Sequence, residues 1–176
     1  HIGIDPDPWQ ADVLRYEGKR LLLNCCRQSG KSTTTATKAL HTAVYRPKSL
    51  ILLVSPSLRQ SQELFRKVKD GYNAMADRPA LLEDNKLSMT LANQSRIVSL
   101  PGDQSTVRGY SGVTLILEDE ASQVSDDFHA AILPMLIINN GQLITMSTPF
   151  GKRGFFFDAW HDSGDEWRRD KVTAQE

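Results

Sequence analysis

Only two cysteines occur, Cys25 and Cys26, and they are neighbours. That spacing suits neither a disulfide framework nor a paired metal-ligand motif, and it fits a reducing compartment. Long apolar runs are missing as well: none approaches the roughly 18 residues of a membrane span. The opening HIGIDPDPWQ lacks the basic-then-apolar form of a signal peptide. No membrane partner is expected, and a cytoplasmic location is. Nor is there an excess of charge of one sign, since Lys plus Arg and Asp plus Glu stand at 21 each. Any contact with a polyanion must therefore come from a local patch. Internal repeats and low-complexity tracts are absent.

What remains is ordinary globular material: 176 residues, 40% of them hydrophobic, enough for one domain with a developed core. Short apolar runs (RLLLN, SLILLVS, VTLILED, QLITMS) alternate with helix-patterned segments (KSTTTATKALHTAVY, LRQSQELFRKVKDGY, FHAAILPMLII). That alternation predicts an α/β domain with a mostly parallel central sheet flanked by helices. The strand candidates are nearly continuous in Leu, Ile and Val, as strands covered on both faces are. By contrast LSMTLANQSRIVSL carries two alternating runs around Asn93-Gln94-Ser95, which predicts an antiparallel hairpin at the edge of the sheet. The domain is expected over 1–165, and the polar tail over 166–176 reads as the start of a linker or lid segment.

The chemistry begins where the first apolar run ends. Cys25-Cys26-Arg27-Gln28-Ser29-Gly30-Lys31-Ser32 matches a phosphate loop at its Gly-Lys-Ser end but has Cys25 where the first glycine belongs. A strand before the loop and a helix after it would converge backbone N–H groups on phosphate oxygens, with Lys31 on the β- and γ-phosphates and Ser32 on Mg2+. A polar turn that merely starts a helix is the alternative for the loop alone. Its companion is Leu115-Ile116-Leu117-Glu118-Asp119-Glu120, an apolar strand ending in acids. Asp119 is expected to hold magnesium through water and Glu120 to orient the attacking water as base. Glu118 is unusual inside a strand and is expected to face an edge or solvent. A guanine-reading Asn-Lys-x-Asp segment is missing, so the nucleotide expected is ATP.

With these pieces placed, the sequence resembles the ATPase domain of the large terminase subunit, the DNA-packaging motor of tailed bacteriophages. The marks are Pro8-Trp9-Gln10 ahead of the first strand, the loop from Cys26 to Ser32 with its Arg27, Asp119-Glu120, and Ser147-Thr148-Pro149 followed by Gly151 and an aromatic helix. That family's loop often lacks its first glycine and carries an arginine where Arg27 stands.

The resemblance implies a P-loop NTPase of the additional-strand ATPase type, with an extra strand between the loop strand and the acidic strand. It places Gln10 at the adenine, with Trp9 either beside it or simply in the core, and Arg27 at the γ-phosphate or as a link to moving parts. The loop residues Gln28, Ser29, Gly30 and Thr33 would lie around the phosphates. Ser147-Thr148-Pro149 is similar to the coupling motif that senses the γ-phosphate, so Thr148 would hydrogen-bond the water or the γ-phosphate side, with a plain strand-end turn at Pro149 as the alternative. Arg108 would serve either as a finger into a neighbouring subunit's ATP or as a structural arginine. The implied partners are double-stranded DNA, further copies in a ring on a portal and a small terminase subunit, in the cytoplasm of the infected bacterial host; the family's nuclease domain is expected to lie outside this chain. A helicase-like motor shares the loop and the acidic strand, and a nucleotide switch or small-molecule kinase is the reading from another class. Arg59, Arg66, Lys67 and Lys69 are the helix-borne candidates for DNA, although spaced charges on a helix are most often its solvated face.

Overall fold

The computed structural model describes residues 5–102, 109–162 and 164–173. In chain order the elements are α1 Pro8–Arg15, β1 Arg20–Cys25, α2 Lys31–Tyr45, β2 Leu50–Ser55, α3 Leu58–Ala74, β3 Leu81–Asp84, β4 Ser88–Leu91, β5 Arg96–Pro101, β6 Leu115–Asp119, α4 Asp126–Ile132, β7 Gln142–Ser147, α5 Gly154–His161 and β8 Arg168–Val172. Single 3-10 turns flank α4. The strands form one sheet in the order β3-β4-β5-β2-β6-β7-β1-β8. Pairing is parallel from β5 through β8 and antiparallel at β3-β4-β5.

Strand periodicity explains why the apolar runs are continuous. Successive side chains leave a strand on opposite faces, and both faces here are covered. Leu21, Leu23, Ile51, Leu53, Leu115 and Leu117 pack with α2 and α3 on one side. Their neighbours Leu22, Leu52, Val54 and Ile116 pack with Phe128 and Ile132 of α4 and with Phe156 of α5 on the other. Each such side chain contributes about 1.5–3 kcal/mol on full burial, so a polar residue on either face of β1, β2 or β6 needs a partner.

The parallel core and the β4–β5 hairpin agree with the sequence reading. Two elements do not. The four residues of β3, mostly exposed, extend the sheet beyond the hairpin. More consequentially, the tail over 166–176, read as a linker or lid, carries β8, which pairs parallel with β1 from Leu21↔Arg168 to Cys25↔Val172. The backbone continues this register into the phosphate loop, where Cys26 N–H donates to the Val172 carbonyl at 3.0 Å. Among the described residues no helix is long and apolar enough to cross a membrane.

Candidate nucleotide site

Parallel pairing brings the C-terminal ends of β1, β7 and β6 level, with Asn24 opposite Ser147 and Asp119 opposite Met146. The phosphate loop, the acidic pair and Thr148 therefore meet at one pole of the sheet. Gly30 is the N-cap of α2, with φ 84°, a left-handed conformation that glycine adopts without strain. A Cβ there would also lie 2.6 Å from Gln10 Nε2. The loop's first position makes no such demand. Cys25 is the last residue of β1, extended and fully buried in the core, so nothing there requires glycine.

Within the site, Ser32 Oγ donates to Asp119 Oδ2 at 2.8 Å, joining the loop helix to the acidic strand. Lys31 Nζ meets Glu120 Oε1 at 2.6 Å. Burial works against the Lys31 charge, but the hydrogen bond to Glu120 and the Asp119 carboxylate outweigh it and hold the ammonium above its ordinary pKa. Asp119 is 7% exposed, and desolvation raises its pKa against the opposing pull of Lys31 and Ser32. Glu120 leaves the strand in a left-handed conformation, φ 52°, and caps the turn that follows. Strain of this kind in a non-glycine residue costs about 1–3 kcal/mol, and here it turns the carboxylate towards Lys31 instead of continuing β6.

Thr148 lies beyond the end of β7. Its carbonyl accepts from the hydroxyls of Ser122 and Ser147, which locks the turn after Glu120 to the end of β7. Its own Oγ1 is buried and finds no hydrogen-bond partner among the described residues. Arg27, Gln28, Lys31, Glu120 and Thr148 line a cleft of about 360 Å3 at this pole.

Gln10, Trp9 and Thr33 make contacts within the protein. Gln10 is engaged at both ends, accepting from Asp7 N–H at 3.0 Å and donating to the Ser29 carbonyl at 3.3 Å, and so ties α1 to the loop. Trp9 packs partly buried against the core. The hydroxyl of Thr33 faces α3, where it accepts from Lys67 Nζ at 3.3 Å. Arg108 lies outside the described residues.

Glu118 corrects the sequence reading outright. It is wholly buried, receiving Thr145 Oγ1 at 3.0 Å and pairing with His129 Nδ1 at 3.0 Å. The His129 ring stacks on Phe155 at 3.7 Å. An acid was invisible as a core residue because its partners come from β7 and α4, far along the chain.

Gln60 and Gln123 also line the cleft, and sequence reasoning missed both. A signal for the first was available: Ser57-Leu58-Arg59-Gln60 has the spacing of a helix capping box. A larger recess, about 760 Å3, lies elsewhere, at the N-terminal ends of β6 and β7 around Lys38 and His41. Lys38 Nζ is already donated to the carbonyls of Leu14 and Tyr16, and none of the phosphate-binding groups is near it.

The strand between loop and acids settles the class. With β7 inserted between β1 and β6, the molecule is a P-loop NTPase of the additional-strand type, as expected from the resemblance. The particular family follows from the comparisons: a family model described as "Terminase large subunit, T4likevirus-type, N-terminal" matches residues 22–176. The chain belongs to that family. It is 28% identical over 174 residues to the large terminase subunit of Thermus virus P23-45, covering 88% of this chain and 36% of that protein. It thus spans about a third of its curated relative's length. The fold is similar to the Thermus phage P74-26 large terminase ATPase domain, with a TM-score of 0.83, 20% identity and coverage of 97% of this chain and 82% of that one. It is also similar to the large terminase of a thermophilic bacteriophage in complex with ADP, with a TM-score of 0.79, 11% identity and coverage of 96% and 46%.

Proposed function

We propose that residues 1–165, together with β8, form the ATPase motor of a large terminase, hydrolysing ATP to drive double-stranded viral DNA into a procapsid. The observation that carries this reading is the contact of Ser32 with Asp119 at 2.8 Å beside the Lys31–Glu120 pair at 2.6 Å. The ammonium of Lys31 and the carboxylate of Glu120 line the cleft, and the Ser32 hydroxyl and the buried Asp119 carboxylate pair with each other. The ADP complex of the thermophilic phage relative supports a nucleotide as the occupant.

The donor set fits Mg2+, because the Ser32 hydroxyl and the Asp119 carboxyl set two hard oxygens side by side, and a cation there would offset the desolvation that works against the carboxylate's charge. Ser32 and Asp119 would hold the ion, which supplies charge neutralisation on the phosphates. The loop backbone, with Gln28, Ser29 and Gly30, cradles the phosphates, and Lys31 donates to the β- and γ-oxygens. When the phosphates take over Lys31, Glu120 is released to accept a proton from water. The water oxygen bonds to the γ-phosphorus, the bond to the bridging oxygen breaks, and ADP and phosphate leave. Arg27 balances charge at the γ-phosphate, Gln10 holds the loop near the base, and the unpartnered Thr148 hydroxyl registers the γ-phosphate.

The wider proposal includes a ring of copies on a portal, completed at each boundary by Arg108, with a small terminase subunit as partner, in the cytoplasm of an infected bacterium. Replacing the base tests the central claim. Glu120→Gln should lower turnover roughly 10²–10⁴-fold while nucleotide binding persists, read by phosphate release and by equilibrium titration. Undiminished turnover would remove Glu120 from its role.

A further inference from the structure

Gln60 stands on the first turn of α3, outside the phosphate loop and the acidic strand end, yet it lines the cleft with Lys31 and Glu120. Its carboxamide is held from behind. Ser57, the N-cap of α3, accepts the Gln60 backbone N–H on Oγ and donates its own proton to Gln60 Oε1 at 2.7 Å. In this arrangement Oε1 lies against the serine hydroxyl, and Nε2 with its two donors stands at the other end of the carboxamide. The wall itself favours an anion, because α3 runs 17 residues and opens with its N-terminus there. It is also anchored, since Lys67 of α3 donates to Thr33 of the loop helix at 3.3 Å.

We propose that Gln60 is the residue by which this cleft distinguishes a triphosphate from a diphosphate. Its Nε2 donates to the terminal phosphate, and Ser57 acts as a positioning residue that keeps the amide turned that way. The proposal rests on the reading of the cleft as an ATP site. Lys31 reaches phosphates from the loop side, whereas Gln60 stands at the start of α3, the helix that follows β2, and β2 borders β6 on the side away from β7 and the loop strand. With the inner phosphates cradled by the loop, a donor from the α3 side is left the terminal phosphate, and its contact would be lost when the γ-phosphate leaves.

Calorimetric titration of the chain with ADP and with a non-hydrolysable ATP analogue tests this. Gln60→Leu, which keeps volume and removes the donors, should weaken the triphosphate roughly tenfold or more and leave ADP unchanged, as expected for a hydrogen bond to a charged group. Ser57→Ala should lose part of the same preference. Retained ADP affinity reports that each variant is folded. A Gln60→Leu protein with the unaltered ratio of triphosphate to diphosphate affinity, or with equal losses for both, would overturn the role of Gln60 and leave the ATP site standing. If the unsubstituted chain bound neither nucleotide, the site reading itself would fall, and this inference with it.

Discussion

The thiol of Cys25 sits sealed between the core and the phosphate loop, and loss of solvent pushes its pKa up to about 12 against the pull of Lys31. Unfolded, it would ionise near 9.0. A proton held more tightly in the folded state stabilises that state fully below the unfolded pKa and progressively less above it. Stability should therefore fall by about 1.4 kcal/mol per pH unit as pH rises from 9.0 towards 12. Cys25→Ala should flatten this part of the profile. Urea unfolding of both proteins from about one half-unit below that unfolded pKa to about one unit above it checks this; superimposable slopes would show that the thiol contributes nothing. Such single-residue effects were only partly visible beforehand. Gly30, Lys31, Ser32 and Asp119 could be read directly, because their spacing is set by a local backbone turn and one strand end. The placements of Glu118 and Gln10 depend on partners distant in sequence, Thr145 and His129 for one and Ser29 for the other, which no local pattern encodes.

At the scale of elements, legibility followed apolar length. β1, β2, β6 and β7 announce themselves because both of their faces are buried. β8 does not: RRDKV reads as a charged tail, because the strand lies at the sheet edge and Val172 is its one fully buried side chain. Its structural weight is clear from its neighbours. Trp167 is 6% and Val172 4% exposed, and β8 covers one edge of β1. A chain truncated after Asp165 should lose at least about 3 kcal/mol from those two side chains alone. It should also bare a strand edge that invites association. Denaturant midpoints and light scattering of the shortened chain test this; an unchanged midpoint would return the segment to the status of a linker. Strand order was beyond reach of composition and periodicity, since crossover connections leave no local trace there; the strand between β1 and β6 was expected from the resemblance alone.

In the whole molecule the cleft lies at the pole of the sheet where β1, β7 and β6 end. Arg27 is exposed at the cleft, and the arginine proposed for a neighbour, Arg108, belongs to the segment preceding β6. If that arginine acts across a boundary, ATP turnover per chain should rise steeply with protein concentration, because each site is completed by a second copy. Phosphate release measured over a wide concentration range decides this. A flat, appreciable rate would mean that each chain finishes its own site, and would shift the arginine role to Arg27.

The buried pair of Glu118 and His129 also constrains how this molecule can diverge. A fold shared at a TM-score of 0.83 with only 20% identity has had most of its positions exchanged, commonly one at a time. These two cannot follow that course. Removing either takes a partner from a buried polar group, at a cost of about 1–3 kcal/mol, whereas replacing both with apolar residues of similar volume need cost little. The route from an apolar residue at position 118 to this acid, or back, crosses a valley, and descendants of this chain should keep or lose the pair together.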